Sequence, residues 1–120
     1  MIFSESLKKS KDFQQVYRRG KSVANRYIVL YVLENGQDRN RLGISVSKKV
    51  GNSVVRHHLT RLIRESYRLN EERFVRGLDL VVVLRTTAKD INYKEAESAL
   101  LHAGRIQKVV NSGEMTDGSN

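Results

Sequence analysis

Residues 43–66, GISVSKKVGNSVVRHHLTRLIRES, concentrate lysine, arginine and histidine and contain no acidic residue before Glu65. From residue 53 to 69 the apolar residues recur with helical spacing, and at about 100° per residue the basic residues fall on the opposite side. That basic side comprises His57, Arg61, Arg64 and Arg68. Because a guanidinium group can bind phosphate oxygens in a bidentate manner, the pattern predicts a helix that binds phosphate through one face.

The turn before this helix adds a second group of phosphate-binding features. Lys48 and Lys49 stand directly before Gly51-Asn52-Ser53, where the free amides of the helix begin. Two ammonium groups beside the positive end of a helix form a plausible phosphate seat. The turn lacks the surrounding glycines and the following Lys-Ser or Lys-Thr of a nucleotide-binding P-loop, so that class of site is excluded.

A solvated basic face is the simpler explanation for such a helix, because runs of charge usually face water. Like charges at i,i+4 nevertheless destabilise a helix by a few tenths of a kcal/mol each, and Glu65 is the one acid between residues 53 and 69. Arginine also predominates over lysine. These features favour an external polyanion over simple solubility.

Three aromatic residues close to basic residues allow two interpretations. Phe13, Tyr17 and Tyr31 can pack in the core, which is the usual fate of aromatic residues on a helix face or a strand. They can also line a groove for a single-stranded nucleic acid, in which stacking on each base contributes about 1–3 kcal/mol. The residues alone leave both interpretations open.

The histidines do not form a recognisable catalytic or metal site. His57 and His58 are adjacent, so on a helix their side chains diverge by about 100° and cannot ligate one metal as an i,i+4 pair. Diverging imidazoles also cannot flank a scissile phosphate as general acid and base. Without cysteine the chain has no thiolate nucleophile and no cysteine-ligated zinc site. His57 is better interpreted as another phosphate contact.

The composition limits the class of protein. The 120 residues carry 22 Lys plus Arg against 13 Asp plus Glu, a formal net charge of +9 with a pI near 10.1, which predicts a polyanionic partner. We expect one domain over residues 1–110 and a disordered polar tail over 111–120. No signal peptide or membrane span is apparent, so we expect a soluble cytoplasmic protein without a membrane partner.

Three segments have the apolar spacing of amphipathic helices, at residues 10–19, 53–69 and 93–110. Ser10 is the predicted N-cap of the first helix, which Gly20 ends, and Asp90 or Asn92 is the predicted N-cap of the last. The predicted packing sides are Phe13, Val16 and Tyr17 in the first helix, Val55, Leu59, Leu62, Ile63, Ser66 and Leu69 in the second, and Ala96, Ala99, Leu100, Ala103, Ile106 and Val110 in the third.

Three segments have the composition of strands, at residues 26–34, 41–47 and 79–85. Asn35-Gly36 favours a tight turn, so we expect the first two strands to form an antiparallel pair. The third, DLVVVLR, has the apolar run of a buried strand. The order of elements predicts an α+β fold with a small mixed sheet covered by helices as a two-layer sandwich, in which residues 43–85 form a parallel strand-helix-strand crossover.

The segments DFQQVYRRGKSVANRYIVLYVL, RLGISVSKKVGNSVVRHHLTRLIRES and DLVVVLR together resemble the protein subunit of bacterial ribonuclease P, over residues 7–110. The resemblance implies an α+β sandwich whose crossover is left-handed. It also implies that the chain binds a large catalytic RNA, in a 1:1 complex, and the 5′ leader of precursor tRNA in a central cleft. The protein would then be a subunit of the tRNA 5′-maturation endoribonuclease, with hydrolysis performed by the RNA and magnesium ions.

The resemblance also assigns residues. It places Phe13, Tyr17 and Tyr31 in the leader cleft and Arg56 on the basic helix. This sequence departs from the family's usual Arg-Asn-Arg signature, because it has Arg56-His57-His58 there. Thr60 also stands where lysine is usual. The candidate RNA-binding residues are therefore Phe13, Tyr17, Arg26, Tyr31, Ser47, Lys48, Lys49, Asn52, Arg56, His57, Arg61, Arg64 and Arg68.

Two other functions remain as alternatives. A general or ribosomal-type RNA-binding protein would use a similar basic helix without a role in tRNA cleavage, and it would bind unrelated structured RNAs equally well. An autonomous nuclease would use the histidines and would cleave RNA without a partner. Peripheral membrane binding is disfavoured, because the apolar side of the basic helix is needed for the core.

Overall fold

The computed structural model describes residues 1–111, and part of the predicted tail, residues 112–120, lies outside that range. The described chain forms five strands and three helices, with short 3-10 turns at Glu71–Arg73 and Thr86–Ala88. In chain order these elements are β1 (Ser4–Ser6), α1 (Ser10–Arg19), β2 (Lys21–Ala24), β3 (Ile28–Glu34), β4 (Asn40–Ser45), α2 (Ser53–Asn70), β5 (Leu78–Leu84) and α3 (Tyr93–Ile106).

The strands form one mixed sheet in the order β1-β4-β5-β3-β2. β4 and β5 are parallel and are joined through α2, so the predicted strand-helix-strand crossover is confirmed. The predicted antiparallel pairing of β3 with β4 is wrong, because β5 lies between them and pairs with both. The apolar β5 is buried at nearly every position, and a central place in the sheet satisfies its backbone on both edges.

The connection at Asn35-Gly36 is consequently a loop to the next-but-one strand rather than a hairpin. Gly36 has a positive φ of 73°, as a turn glycine should. The side chain of Asn35, however, donates to the Arg39 carbonyl at 3.0 Å and to Asp79 on β5 at 3.0 Å. Asn35 therefore anchors the loop to the central strand instead of closing a two-residue turn.

The two edge strands, β1 and β2, were not predicted. Both are short and mostly polar, so neither shows the alternation that identifies a half-buried strand. Short, polar edge strands are a common way to prevent further strand pairing. Their formation depends on the neighbouring strands rather than on local propensity.

The helix boundaries differ in detail from the predictions. Lys9, not Ser10, is the N-cap of α1, and it makes no side-chain capping bond. Asn92, not Asp90, caps α3 in a reciprocal capping box with Glu95. α3 ends at Ile106 rather than Val110.

The chain reverses after α3, so Val110 leaves the helix and pairs with Phe74 in an antiparallel bridge. Lys108 makes this reversal with a positive φ of 62°. Gly104 lies under the side chains of Val110 and Phe74, where a larger residue would not fit. The glycine that lowers helix propensity is therefore needed for the return of the chain.

The α+β class is confirmed, and helices cover both faces of the sheet. α2 and α3 pack on one face against β3, β4 and β5 through a large core that includes Leu30, Leu80, Leu59, Ile63 and Leu100. α1 packs on the other face through a small cluster built around Leu7, Val16 and Val81. The side chains of β3 alternate between these two cores, as its sequence predicts.

Three residues predicted on the packing sides of the helices are exposed instead. Tyr17 of α1 is 38% exposed, and Leu69 of α2 and Ile106 of α3 are 57% and 51% exposed. In α2 the buried arc runs through Leu59, Ile63 and Ser66 to Tyr67 and Asn70, which places Leu69 outside it. Near the end of α2, Ser66, Tyr67 and Asn70 are therefore buried, whereas Leu69, which the apolar spacing predicts to be buried, faces solvent.

Two buried polar residues, Tyr67 of α2 and Glu71 directly after it, hold β1 in place through hydrogen bonds. The Glu71 carboxylate accepts hydrogen bonds from the backbone amides of Ile2 at 2.6 Å and Phe3 at 2.9 Å. The Tyr67 hydroxyl bonds the Ser4 hydroxyl at 2.7 Å and accepts from Asn40 at 3.1 Å. Because β1 leads directly into α1, this network also fixes where α1 starts on the sheet.

Candidate nucleic-acid interface

The three predicted cleft aromatics form one cluster on the α1 face of the sheet. The rings of Phe13 and Tyr17 lie 6.3 Å apart, and Tyr17 meets Tyr31 of β3 edge-on at 5.0 Å. Phe13 and Tyr31 are half-buried, whereas Tyr17 is 38% exposed. The cluster therefore packs α1 against the sheet and still leaves aromatic surface accessible.

Gly43 of β4 creates the seat for Phe13. A Cβ atom at this position would lie 2.6 and 2.8 Å from two ring carbons of Phe13 and 3.2 Å from Leu7 Cδ2. The absence of a side chain thus allows the ring to lie directly against the strand backbone. This close approach sets how deeply the aromatic cluster sinks toward the sheet.

A partly buried ion cluster holds α1 next to this seat. Arg41 of β4 makes a bidentate pair with Asp79 of β5, at 2.8 and 2.7 Å, and reaches Asp12 of α1 at 3.4 Å. The hydrogen bond with Asp79 is the main cause of the raised pKa of Arg41, which burial opposes. Because Asp12 precedes Phe13, the cluster ties the aromatic turn of α1 to the two central parallel strands.

The sheet beyond the aromatic cluster remains accessible. Val29, Val83 and Ser45 lie side by side on β3, β5 and β4 and are half-buried, whereas the next row, with Val81 and Gly43, is buried under α1. A shallow floor therefore continues from the aromatic rings toward the ends of β4 and β5. The strand register brings these three residues into one row, and no sequence motif predicts that row.

The predicted basic turn stands at the end of this floor. Lys48 and Lys49 are exposed directly after β4, and the Lys49 amide donates to the Ser47 hydroxyl at 3.3 Å. The side-chain oxygen Oδ1 of Asn52 caps α2 by accepting from the Val55 amide at 3.0 Å. With that oxygen engaged, Asn52 offers its NH₂ group to a ligand.

Two arginines extend the same end of the sheet. Arg26 precedes β3, is exposed, and lies with its guanidinium carbon 5.3 Å from the centroid of the Tyr27 ring. Arg85 follows β5 and donates to the Asn25 carbonyl at 2.5 Å. Arg85 was not among the RNA-binding residues predicted from the sequence. Its signal was its place directly after a buried strand parallel to β4, because parallel strands end at one edge of a sheet.

The basic face of α2 is an exposed surface with few acidic neighbours. His57, Arg61, Arg64 and Arg68 are exposed, and Arg56 is half-buried beside Thr60, Ile44 and Val46. Among residues 1–111, Arg61 and Arg64 have no carboxylate within ion-pair distance. The buried Nε of Arg56 has no hydrogen-bond partner in the described part of the chain.

Arg68 differs from the other basic residues of α2. It forms a bidentate pair with Glu65, at 3.0 and 2.6 Å, which lowers the pKa of Glu65 and raises that of Arg68. Both side chains are about half exposed. The uncompensated part of the basic face is therefore Arg56, His57, Arg61 and Arg64, and Arg68 is at its neutralised end.

The described chain offers no ready metal site. Residues 1–111 contain no group of three or more histidine or acidic side chains arranged to hold a metal ion. None of the helices in this range is long and apolar enough to cross a membrane.

Comparison with known proteins identifies the family. The family model for Ribonuclease P matches residues 2–108. A ribonuclease P protein component from Lachnoclostridium phytofermentans is 58% identical over 111 residues, which cover 92% of this chain and 96% of that protein. One from Alkaliphilus oremlandii is 49% identical over 106 residues, covering 88% and 93%.

Solved structures of similar proteins support the same family assignment. The Staphylococcus aureus RNase P protein superposes with a TM-score of 0.82 at 42% identity, covering 88% of this chain and 97% of that one. The RNase P protein from Thermotoga maritima gives a TM-score of 0.77 at 32% identity, covering 83% and 96%. The chain therefore belongs to the ribonuclease P protein family, as a bacterial protein subunit of that tRNA-processing ribonuclease.

Proposed function

We propose that the chain contacts its two RNA ligands through two different surfaces. The basic face of α2, with the Ser47–Asn52 turn, binds the catalytic RNA, and the aromatic cluster with its shallow floor binds the 5′ leader of precursor tRNA. The complex acts in the cytoplasm with one protein per RNA. The RNA and its magnesium ions carry out the hydrolysis, and this chain positions the substrate.

The observation that best supports this proposal is the way the two surfaces meet. The floor between β3 and β4 runs from Tyr17 and Tyr31 to the end of the sheet at which β4 and β5 finish. Lys48, Lys49 and Arg85 lie just after those two strands. A single strand needs aromatic faces for its bases and cations for its backbone. A strand lying on this floor would stack at one end and meet the basic turn at the other.

The leader assignment is tested by binding of precursor and mature tRNA to the assembled complex. Phe13→Ala or Tyr31→Ala should reduce the affinity for precursor tRNA by about 5- to 150-fold, the equivalent of one stacked base. Affinity for mature tRNA, which has no leader, should not change. Tyr93→Ala is a matched control, because Tyr93 is a partly exposed tyrosine of α3 bonded to Glu97. Equal losses for both tRNAs would contradict the leader cleft.

The assignment of the basic face is tested by the salt dependence of assembly. Arg56→Ala or Arg64→Ala should weaken binding of the catalytic RNA and reduce the slope of log affinity against log salt by about one unit each. Arg105→Ala, an exposed arginine on α3, is the control. Unchanged slopes for Arg56 and Arg64 would remove α2 from the interface.

A general RNA-binding protein is the alternative, and competition separates it from the proposal. An unrelated structured RNA of equal length should compete poorly if shape and leader contacts both contribute. Equal competition would support the alternative. Cleavage by the protein alone, abolished by His57→Ala, would instead indicate an autonomous nuclease.

A further inference from the structure

His57 and His58 lie on the exposed side of the N-terminal half of α2, in surroundings without carboxylates. One groove beside them is lined by Ser53, Val54, His57, His58 and Arg61, and the groove on the β4 side of His57 is lined by Ile44, Val46, Ser53, Arg56, His57 and Thr60. Neither lining contains Asp or Glu. The ring nitrogens of both histidines make no hydrogen bond to residues 1–111, so both rings are free to bind a ligand.

The charged groups that face this pair are cations or distant ion pairs. On α2 itself these are Arg56, Arg61 and Arg64, and the one acid of that helix, Glu65, is bonded to Arg68. Ile44 of β4 and Val46, which follows that strand, are apolar and line the groove beside His57. α3 faces α2 with Tyr93 and Glu97, but Glu97 bonds Asn70 at the opposite end of α2.

We propose that His57 and His58 bind phosphate groups of the RNA as imidazolium ions, so that assembly takes up protons. The inference rests on the proposed function of the basic face and adds a proton to the binding reaction. In the complex, phosphate oxygens favour the positively charged imidazolium, and both of its ring N–H groups can then donate.

The sign of the pH dependence follows from this linkage. A histidine whose pKa is higher in the complex than in the free protein adds affinity that is fully present below the free pKa, and this gain is lost as the pH rises through the pKa of the complex. For histidines in general, binding that raises the pKa by about one unit makes affinity fall about sixfold per histidine between pH 6 and pH 8. Both histidines together give about 40-fold.

The test is the dissociation constant of the full chain with a bacterial ribonuclease P RNA, measured from pH 6 to pH 8 at constant ionic strength. The unaltered protein should lose about 40-fold in affinity across this range. The H57N/H58N variant should bind at every pH as the unaltered protein binds at pH 8. The H57R/H58R variant should bind at every pH at least as well as the unaltered protein does at pH 6.

The third histidine provides the control. His102 is exposed on α3 and bonds Asn25, so H102N should retain the full pH dependence. A pH dependence that survives in H57N/H58N, or one that H102N removes, would overturn the proposal. Tight binding that does not depend on pH would overturn the proton linkage while leaving the proposed function intact, whereas no binding at any pH would contradict the proposed function itself.

Discussion

Substituting Gly43 by alanine should disturb the leader cleft from beneath. The Cβ atom of the variant would stand 2.6 and 2.8 Å from ring carbons of Phe13. Ordinary carbon–carbon contacts are about 3.5–4.0 Å, so the ring must retreat by about 1 Å. The backbone itself accepts alanine, because Gly43 is not among the described glycines with positive φ.

The expected cost combines a clash with a lost stacking surface. Overpacking of this size destabilises a fold by about 1–3 kcal/mol, which for a chain of this length lowers Tm by about 4–12 °C. Because Phe13 moves relative to Tyr17 and Tyr31, the preference for precursor over mature tRNA should fall at least about fivefold. Assembly with the catalytic RNA should persist, since α2 packs on the other face of the sheet.

A double-mutant cycle with Phe13→Ala tests the reasoning. Removing the ring removes the close contacts, so Gly43→Ala in that background should cost little, leaving a coupling energy of about 1–3 kcal/mol. Urea unfolding measures the stabilities, and titration with the two tRNAs measures the selectivity. If Gly43→Ala is as destabilising without the ring as with it, Phe13 is not what Gly43 accommodates.

Three further substitutions test the supports of the site. Glu71→Gln should cost about 1–3 kcal/mol at neutral pH; although burial opposes its ionisation, the amides of residues 2 and 3 hold the pKa of Glu71 below its ordinary value. This stabilisation is present above the ordinary carboxyl pKa and is lost as the pH falls through the lower pKa of the folded state, so urea titrations of variant and parent should converge in acid. Asp79→Asn leaves Arg41 without its bidentate partner and should lower the free energy of unfolding by about 3 kcal/mol. In urea unfolding, the double variant Asp79→Asn/Arg41→Met should regain most of this loss, because it no longer contains the unpaired charge. Asn92→Ala should lower stability by about 1 kcal/mol in thermal unfolding, whereas Asp90→Ala, its control, should not.

The sequence indicates the central elements because their signals are local. α2 has both an apolar and a basic side, and β5 is an uninterrupted apolar run, so their types and approximate limits follow from spacing. The family resemblance then selects the residues of the interface. The exposure of Lys48, Lys49, Arg61, Arg64 and Arg68 needs no tertiary information beyond this, whereas Arg56 is half-buried.

The remaining features depend on contacts between distant residues. The place of β5 between β3 and β4 comes from strand pairing across about 40 residues, which a favourable Asn35-Gly36 dipeptide cannot report. The position of Arg85 depends on β4 and β5 ending on the same side of the sheet. The seat of Phe13 on Gly43 is likewise invisible until α1 is placed on the sheet. The pairing of Arg68 with Glu65, three residues earlier on α2, is the exception, because it is a local contact that helical spacing permits.

The most direct test of the account is cleavage of a 5′-extended precursor tRNA in low magnesium, with this protein alone, a bacterial ribonuclease P RNA alone, and both together. The account predicts efficient cleavage at the mature 5′ end only in the mixture. Cleavage by the protein alone would place catalytic groups on this chain. A protein that leaves the activity of the RNA unchanged would contradict its role as the substrate-positioning subunit.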